Sequence, residues 1–157
     1  MSNFIKTFGC RLNTFETEII KSFIETNKIK NLSVVNTCAV TQEAEKKAVR
    51  EIKKIKNKNK DTFLVVTGCA AQIYPELFTD MYEVDKVIGN SEKRDISKHL
   101  FRNNNKLVSD IMTNDDPLNS LSSSFKSKTR AFVEIQNGCN HRCTFCVIPY
   151  GLSLIHI

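Results

Sequence analysis

The sequence lacks any long hydrophobic run, and this absence excludes two classes of protein. No stretch approaches the roughly 18 apolar residues that a membrane-spanning helix needs. The amino terminus, Met1 to Phe8, has no apolar segment long enough for a secretory signal. Low-complexity sequence is also scarce and is confined to a Lys/Asn-rich stretch at 56–60. We therefore expect a cytoplasmic protein that does not associate with a membrane.

Length and composition indicate a globular chain. The 157 residues are enough for about one domain and can bury a core. Apolar residues make up 41% and charged residues 25%, which is typical of folded rather than disordered chains.

The six cysteines need an explanation in a cytoplasmic chain. Disulfides rarely persist in that compartment, so metal binding or catalysis is the better expectation.

Positive charge is concentrated in one segment. The net charge of the whole chain is +6, and residues 41–60 carry eight basic and three acidic side chains. A local basic face can bind a phosphate backbone. The alternative is an ordinary solvated helix face, and charge alone does not decide between them.

Strand-like and helix-like segments alternate through the first 110 residues. The predicted strands are 4–8, 32–36, 63–67 and 86–88. Helical spacing begins at Asn13, where Asn13 or Thr14 can cap the helix, and again at Thr41. Shorter helices are predicted at 70–78 and 91–101. This alternation predicts an α/β fold with a doubly wound, mostly parallel sheet of the flavodoxin-like kind.

A change in composition divides the chain. Residues 114–128 contain five serines and one proline, which is typical of a linker. We therefore predict a first domain at 1–113, the linker at 114–128, and the start of a second unit at 129–151. A strand at 130–136 is expected to lead into Cys139.

Three cysteines hold equivalent places in the first domain. Cys10, Cys38 and Cys69 each follow a predicted strand and precede a predicted helix. In a parallel α/β sheet such loops emerge at the carboxyl edge, where ligands bind. The nearby helix amino termini are expected to favour the thiolate form that metals need. The alternative is three buried structural cysteines.

The second group of cysteines is more compact. Cys139, Cys143 and Cys146 form a C-x3-C-x2-C run in one loop. Three closely spaced thiolates suit an iron–sulfur cluster with one iron open to a small molecule. Structural zinc would need a fourth ligand and usually uses paired C-x2-4-C units.

With these motifs in view, the chain resembles the radical S-adenosylmethionine methylthiotransferases. The first three family motifs are matched by GCRLNTFE at 9–16, VNTCAVT at 35–41 and VTGCAAQ at 66–72, and the radical motif by GCNHRCTFC followed by VIPY at 138–150. One motif would mark only the superfamily, whereas four in order are highly specific.

The resemblance implies two 4Fe-4S clusters. Cys139, Cys143 and Cys146 would hold the radical cluster that binds S-adenosylmethionine, and Phe145 would lie near the adenine of that cofactor. Cys10, Cys38 and Cys69 would hold an auxiliary cluster that supplies or carries sulfur. The implied reaction replaces an unreactive C–H bond by C–S–CH3, with electrons from a donor such as flavodoxin or ferredoxin.

The sequence around Cys10 also favours one branch of the family. Cys10 is followed by Arg-Leu-Asn and then by Glu16, as in the branch that acts on N6-threonylcarbamoyladenosine in tRNA. The isopentenyladenosine branch usually has Gln-Met-Asn there, and the ribosomal-protein branch Pro-Lys-Asn. The expected product is therefore 2-methylthio-N6-threonylcarbamoyladenosine.

The resemblance stops after Tyr150 and Gly151. Residues 152–157 do not match the Arg-Gly-rich continuation of the family, and we interpret them as a non-native tail. On this interpretation 129–151 is the start of a truncated radical (β/α) barrel, and the chain is a fragment expected to be inactive alone. Two alternatives from other classes remain: a non-catalytic zinc- and RNA-binding module, and a flavodoxin-like nucleotide-binding domain with incidental cysteines.

Overall fold

A five-stranded, all-parallel sheet forms the centre of the molecule in the computed structural model, which describes residues 3–113 and 132–155. The strands are β1 Phe4–Thr7, β2 Leu32–Thr37, β3 Phe63–Gly68, β4 Lys86–Ile88 and β5 Lys106–Leu107. Their order across the sheet is β1-β2-β3-β4-β5. In the central pair Val34 lies opposite Val65 and Val35 opposite Val66.

Helices cover both faces of this sheet, so the predicted fold class is confirmed for the first domain. They are α1 Arg11–Thr26, α2 Gln42–Lys58, α3 Cys69–Ile73, α4 Pro75–Thr79, α5 Asn90–Lys93, α6 Ile96–His99 and α7 Ile148–Leu152, with a 3-10 turn at Ile111–Thr113. One apolar core joins α1 and α6 to Val34 and Val65. The other joins α2, α3 and α4 to Val35 and Val66.

The strands β2 and β3 lie at the centre of the sheet and are buried on both faces. All six residues of β2 are buried, and so are all but the first residue of β3. Such runs are typical of strands in a parallel sheet that helices cover on both faces. The strand order places the ends of β1, β2 and β3 side by side.

The start of α2 is the predicted one. Thr41 caps the helix, since its Oγ1 accepts a hydrogen bond from the Ala44 N–H at 3.2 Å. The buried stripe consists of Ala48, Ile52 and Ile55, and most of the lysines point to solvent.

We expect the replacement Thr41→Ala to destabilise the domain by about 1 kcal/mol, because the cap acceptor is lost. Urea unfolding followed by circular dichroism measures this change. Thr41→Ser keeps the hydroxyl and should stay close to the parent. An equal loss in both variants would show that the cap bond does not stabilise the helix.

The helix α1 begins earlier than predicted. Cys10 is the cap residue and Arg11 the first helical residue, so Asn13 lies within the first turn. Asn13 is buried, and its Nδ2 donates to the carbonyls of Phe8 and Thr37 instead of capping. The Asn13 side chain therefore makes hydrogen bonds to other segments instead of capping its own helix.

Two other predicted helices are split. Pro75 ends the helical run that starts at Cys69 and begins a new helix, because proline is tolerated only in a first turn. The helix predicted at 91–101 is two short helices, α5 and α6, with Gly89 rather than Ser91 as the first cap. The short strand β5 was not predicted.

The strand predicted at 130–136 does not form in its described part. Residues 132–136 have no strand geometry, and only Asn137 makes an isolated bridge. A strand needs a hydrogen-bonding neighbour, and no strand of the described sheet pairs with this segment. Successive side chains nevertheless alternate in exposure, since Val133 and Ile135 are exposed while Phe132 and Glu134 are partly buried.

The predicted linker at 114–128 lies outside the described residues, as do residues 156 and 157 of the predicted tail. The proposed division of the chain into domains therefore stays a prediction. Among residues 3–113 and 132–155, no helix has the length and apolar character needed to cross a membrane.

Candidate metal centre

Three cysteines lie at the carboxyl edge of the sheet, on neighbouring loops. Cys10 follows β1, Cys38 follows β2 and Cys69 follows β3, and these strands are adjacent and parallel. The predicted location at one edge is therefore what the structure shows. Cys10 is exposed, Cys38 is buried and Cys69 is partly buried.

Glycine brings the first two loops into contact. Gly9 has φ +96°, and a Cβ added there would lie 2.5 Å from Cβ and 2.7 Å from Sγ of Cys38. No other residue could occupy this position without displacing Cys38. Gly68 before Cys69 and Gly138 before Cys139 also have positive φ, of +100° and +79°. Three of the six cysteines thus follow a left-handed glycine that turns the chain out of its preceding segment.

Two buried asparagines fix the ends of β1 and β2 behind the cysteines. Asn13 Nδ2 donates to the Phe8 carbonyl at 2.7 Å and to the Thr37 carbonyl at 2.9 Å. Asn36 Nδ2 donates to the Asn13 carbonyl at 3.0 Å. These bonds hold the loops of Cys10 and Cys38 at a set separation.

The thiol of Cys69 is held in its protonated form in the metal-free chain. Burial raises its pKa to about 11, the nearby Lys93 ammonium opposes this, and the carboxylate of Glu16 raises it again. The Cys38 thiol has a smaller effect in the same direction. Burial of Cys69 therefore opposes the thiolate form that the sequence predicts at this loop.

A buried ion pair lies beside Cys69. Lys93 is 3% exposed, and its Nζ lies 2.6 Å from Glu16 Oε2 and 2.7 Å from Asn90 Oδ1. Asn90 Nδ2 in turn donates to Cys69 Sγ at 3.6 Å, which is a weak sulfur contact. Sequence reasoning missed Asn90 and Lys93. The available signal was their position after β4, at the same edge as the cysteines.

The second cysteine group occupies one loop. The Cys146 N–H donates to the Cys143 carbonyl at 3.0 Å, and the Cys139 N–H donates to the Ser153 carbonyl at 3.1 Å. Cys143 is exposed and Phe145 is 89% exposed. The loop therefore presents the Cys143 thiol and the Phe145 ring to solvent, whereas Cys139 and Cys146 are partly buried.

The helix after this loop packs beside Cys69. A Cβ at Gly151 would lie 3.3 Å from Cβ and 3.6 Å from Sγ of Cys69. The Gly151 carbonyl accepts a 2.6 Å hydrogen bond from Asn90 Nδ2. The structure thus brings the segment of the second group against the third cysteine of the first.

The donor chemistry of this edge is that of thiols. Among the described residues, no three His, Cys, Asp or Glu side chains lie close enough to hold a single metal ion. Cys10, Cys38 and Cys69 supply thiols on three adjacent loops, and thiolates are the ligands that iron–sulfur clusters prefer.

The fold and these loops define an α/β domain with a thiol-rich ligand edge. Residues 2–89 match the sequence profile of a family described as "Uncharacterized protein family UPF0004". This match covers more than half of the chain, and the chain therefore belongs to that family.

Curated relatives agree with the resemblance drawn from the motifs. The chain is 49% identical over 148 residues to the threonylcarbamoyladenosine tRNA methylthiotransferase MtaB of Rickettsia prowazekii, covering 93% of this chain and 35% of the relative. It is 36% identical over 152 residues to the protein of that name in Thermotoga maritima, covering 92% of this chain and 35% of the relative.

A relative from the second branch is less similar. The tRNA-2-methylthio-N(6)-dimethylallyladenosine synthase of Thermodesulfovibrio yellowstonii is 33% identical over 167 residues, covering 94% of this chain and 37% of the relative. The methylthiotransferase resemblance, with its threonylcarbamoyladenosine branch, is thereby confirmed. The chain spans little more than a third of the length of these three relatives.

Proposed function

We propose that this chain is the cluster-binding part of a tRNA methylthiotransferase that converts N6-threonylcarbamoyladenosine to its 2-methylthio derivative. The observation that carries the proposal is the placement of Cys10, Cys38 and Cys69 on three adjacent loops at one sheet edge. The 49% identity to a relative of that name supports the substrate branch.

Each cysteine group has a proposed cofactor. Cys10, Cys38 and Cys69 would hold the auxiliary 4Fe-4S cluster, and Cys139, Cys143 and Cys146 the cluster that binds S-adenosylmethionine, with Phe145 beside the adenine. When bound, these groups supply the reductive and sulfur-transfer chemistry that replaces C–H by C–S–CH3. A flavodoxin or ferredoxin is the proposed electron donor.

The chain's own residues position these groups. Gly9 allows the loop of Cys10 to touch Cys38, and Asn13 ties the ends of β1 and β2 together. Asn90 contacts both Cys69 and Gly151, so it links the two cysteine segments. Such fixed separations are what a reaction between two cofactors and one carbon requires.

Anaerobic reconstitution with iron and sulfide tests the proposal directly. We expect the chain to bind iron and acid-labile sulfide and to take up S-adenosylmethionine. Stoichiometric zinc without sulfide would instead support the zinc- and RNA-binding module. A yellow complex with flavin would support the nucleotide-binding domain.

We expect no turnover from the 157-residue polypeptide by itself. The loop that carries Cys143 and Phe145 is open to solvent in the described structure, so a reactive intermediate there would meet water. Mass spectrometry of threonylcarbamoylated tRNA after incubation with reductant and S-adenosylmethionine measures this. Repeated turnovers would contradict the expectation.

The basic face of α2 is proposed to attract tRNA. Its exposed cations are Lys46, Lys47, Arg50, Lys53 and Lys54. Lys47 forms an i,i+4 ion pair with the exposed Glu43, at 2.9 Å, and it is the one member of this set with an ion pair among the described residues. Cations of this kind can neutralise phosphates without reading bases.

Charge reversal on this face is expected to weaken the salt dependence of tRNA binding. Replacing Lys46, Lys53 and Lys54 by glutamate should lower the slope of log K against log salt by at least about 2, since each phosphate contact contributes roughly 0.7 to 0.9. Filter binding across a salt series measures the slope. Lys98→Glu on α6, on the other face of the sheet, is the control. An unchanged slope in the triple variant would support the alternative that this face of α2 is an ordinary solvated helix face.

A further inference from the structure

Asn90 makes contacts to both cysteine-bearing segments. Its Nδ2 donates to Cys69 Sγ at 3.6 Å and to the Gly151 carbonyl at 2.6 Å. The side chain is 5% exposed, so neither bond competes with bulk water. One amide group therefore sets the position of a thiol and of the backbone that follows the second cysteine loop.

A buried charge pair holds the other end of this amide. Lys93 Nζ donates to Asn90 Oδ1 at 2.7 Å and contacts Glu16 Oε2 at 2.6 Å. These contacts orient the amide with its oxygen toward Lys93 and its nitrogen toward Cys69. Glu16 lies on α1, six residues after Cys10, so the network spans the loops of β1, β3 and β4.

The buried ammonium of Lys93 needs polar partners, because a buried charge without them is strongly destabilising. An isolated buried ammonium would lose several kcal/mol of hydration, and the Glu16 carboxylate and the Asn90 oxygen replace that water. Gln72 adds a further restraint, because its Oε1 accepts from the Asn90 N–H at 2.8 Å. Both the backbone and the side chain of Asn90 are therefore fixed.

We propose that Asn90, held by Lys93 and Glu16, is a positioning residue that aims the Cys69 thiol at its metal group and docks the second cysteine segment beside it. This deepens the proposed function and rests on it only where Cys69 is taken as a ligand. Partners of metal ligands typically change metal affinity by 10- to 100-fold when removed. Asn90 is such a partner of Cys69, because its Nδ2 donates to the Cys69 sulfur.

The replacement Asn90→Asp tests the proposal with little change in shape. It removes the N–H donor that serves Cys69 and Gly151, and it keeps an oxygen beside Lys93, where a carboxylate is compensated. The matched control is Ser91→Ala, the next residue in the same helix α5.

The first measurement uses the metal-free chain and needs no assumption about iron. In 15N NMR spectra we expect Asn90→Asp to move the backbone amide signals of both Cys69 and Gly151, and Ser91→Ala to move neither. Lys93→Met should move the same two signals, because it releases the far end of the amide. Unmoved signals in Asn90→Asp would overturn the proposal, as would movement confined to one of the two.

The second measurement uses the reconstituted chain and an iron chelator. We expect Asn90→Asp to lose the iron that depends on Cys69 at least about 10-fold more readily, with an altered electron paramagnetic resonance signal. Equal retention in Asn90→Asp and in the parent would overturn the positioning role. If Cys69→Ala leaves the iron content of the parent unchanged, the proposed ligand role of Cys69 fails instead, and the NMR result still decides whether Asn90 links the two segments.

Discussion

Replacing Cys10, Cys38 and Cys69 by serine is expected to remove about half of the iron and sulfide that the reconstituted chain binds. The expectation follows from two separate thiol groups, each able to hold one 4Fe-4S cluster. The three cysteines end adjacent parallel strands and lie at one edge of the sheet. Serine oxygen is a poor substitute for a soft thiolate ligand.

The second cysteine group provides the matched control for this experiment. Serine at Cys139, Cys143 and Cys146 should remove the other half of the iron, and a variant with all six replacements should bind none. Iron and acid-labile sulfide are measured per chain, and circular dichroism checks that each variant keeps the fold. Full iron content in the first triple variant would refute the auxiliary site.

The edge location of the first three cysteines could be predicted because it depends only on topology. Alternating strands and helices imply a parallel sheet, and every strand-to-helix loop of such a sheet emerges at one edge. The sequence shows that Cys10, Cys38 and Cys69 occupy such loops. Their distances could not be predicted, since these depend on the left-handed turn at Gly9 that brings its loop against Cys38.

The network beside Cys69 could not be predicted from local pattern. In the sequence Asn90 and Lys93 look like polar residues of a surface helix, and Glu16 like an acidic residue near a helix start. Their burial results from the packing of α1, α5 and the β3 loop, which no single segment encodes. The same applies to Asn13, whose expected capping role gave way to bonds that tie two strands together.

The strand predicted at 130–136 was wrong in its described part for a related reason. Its alternating pattern is real, with Val133 and Ile135 on one side. An alternating pattern predicts which face of a strand each side chain lies on, but not which strand it pairs with. A segment whose backbone has no neighbouring strand to hydrogen-bond does not adopt strand geometry. The two-residue strand β5 is the converse case, since pairing with β4 forms it without a strong pattern.

The replacement Gly68→Ala is expected to destabilise the domain by about 2 to 5 kcal/mol. The left-handed backbone at Gly68, with φ +100°, costs a residue with a Cβ roughly 1 to 2 kcal/mol. The added atom would also lie 2.5 Å from the Thr37 nitrogen and from Asn36 Oδ1, and overpacking of this kind costs about 1 to 3 kcal/mol. The strand cannot move aside easily, because Thr37 Oγ1 donates to the Thr67 carbonyl at 2.6 Å.

A second glycine of the same edge separates backbone strain from simple crowding. Gly89 has an ordinary φ of −70°, and a Cβ there would lie 2.5 and 2.6 Å from the side-chain ends of Glu92 and Gln72 and 3.2 Å from the Val108 Cα. These side-chain ends can shift, at the cost of weakening bonds such as the one from the Asn90 N–H to Gln72 Oε1, whereas backbone atoms crowd Gly68. Gly89→Ala should therefore lose less stability than Gly68→Ala. Urea unfolding of both variants gives the comparison. Equal losses would mean that crowding alone sets the cost, and that the left-handed turn before Cys69 is not what requires glycine at Gly68.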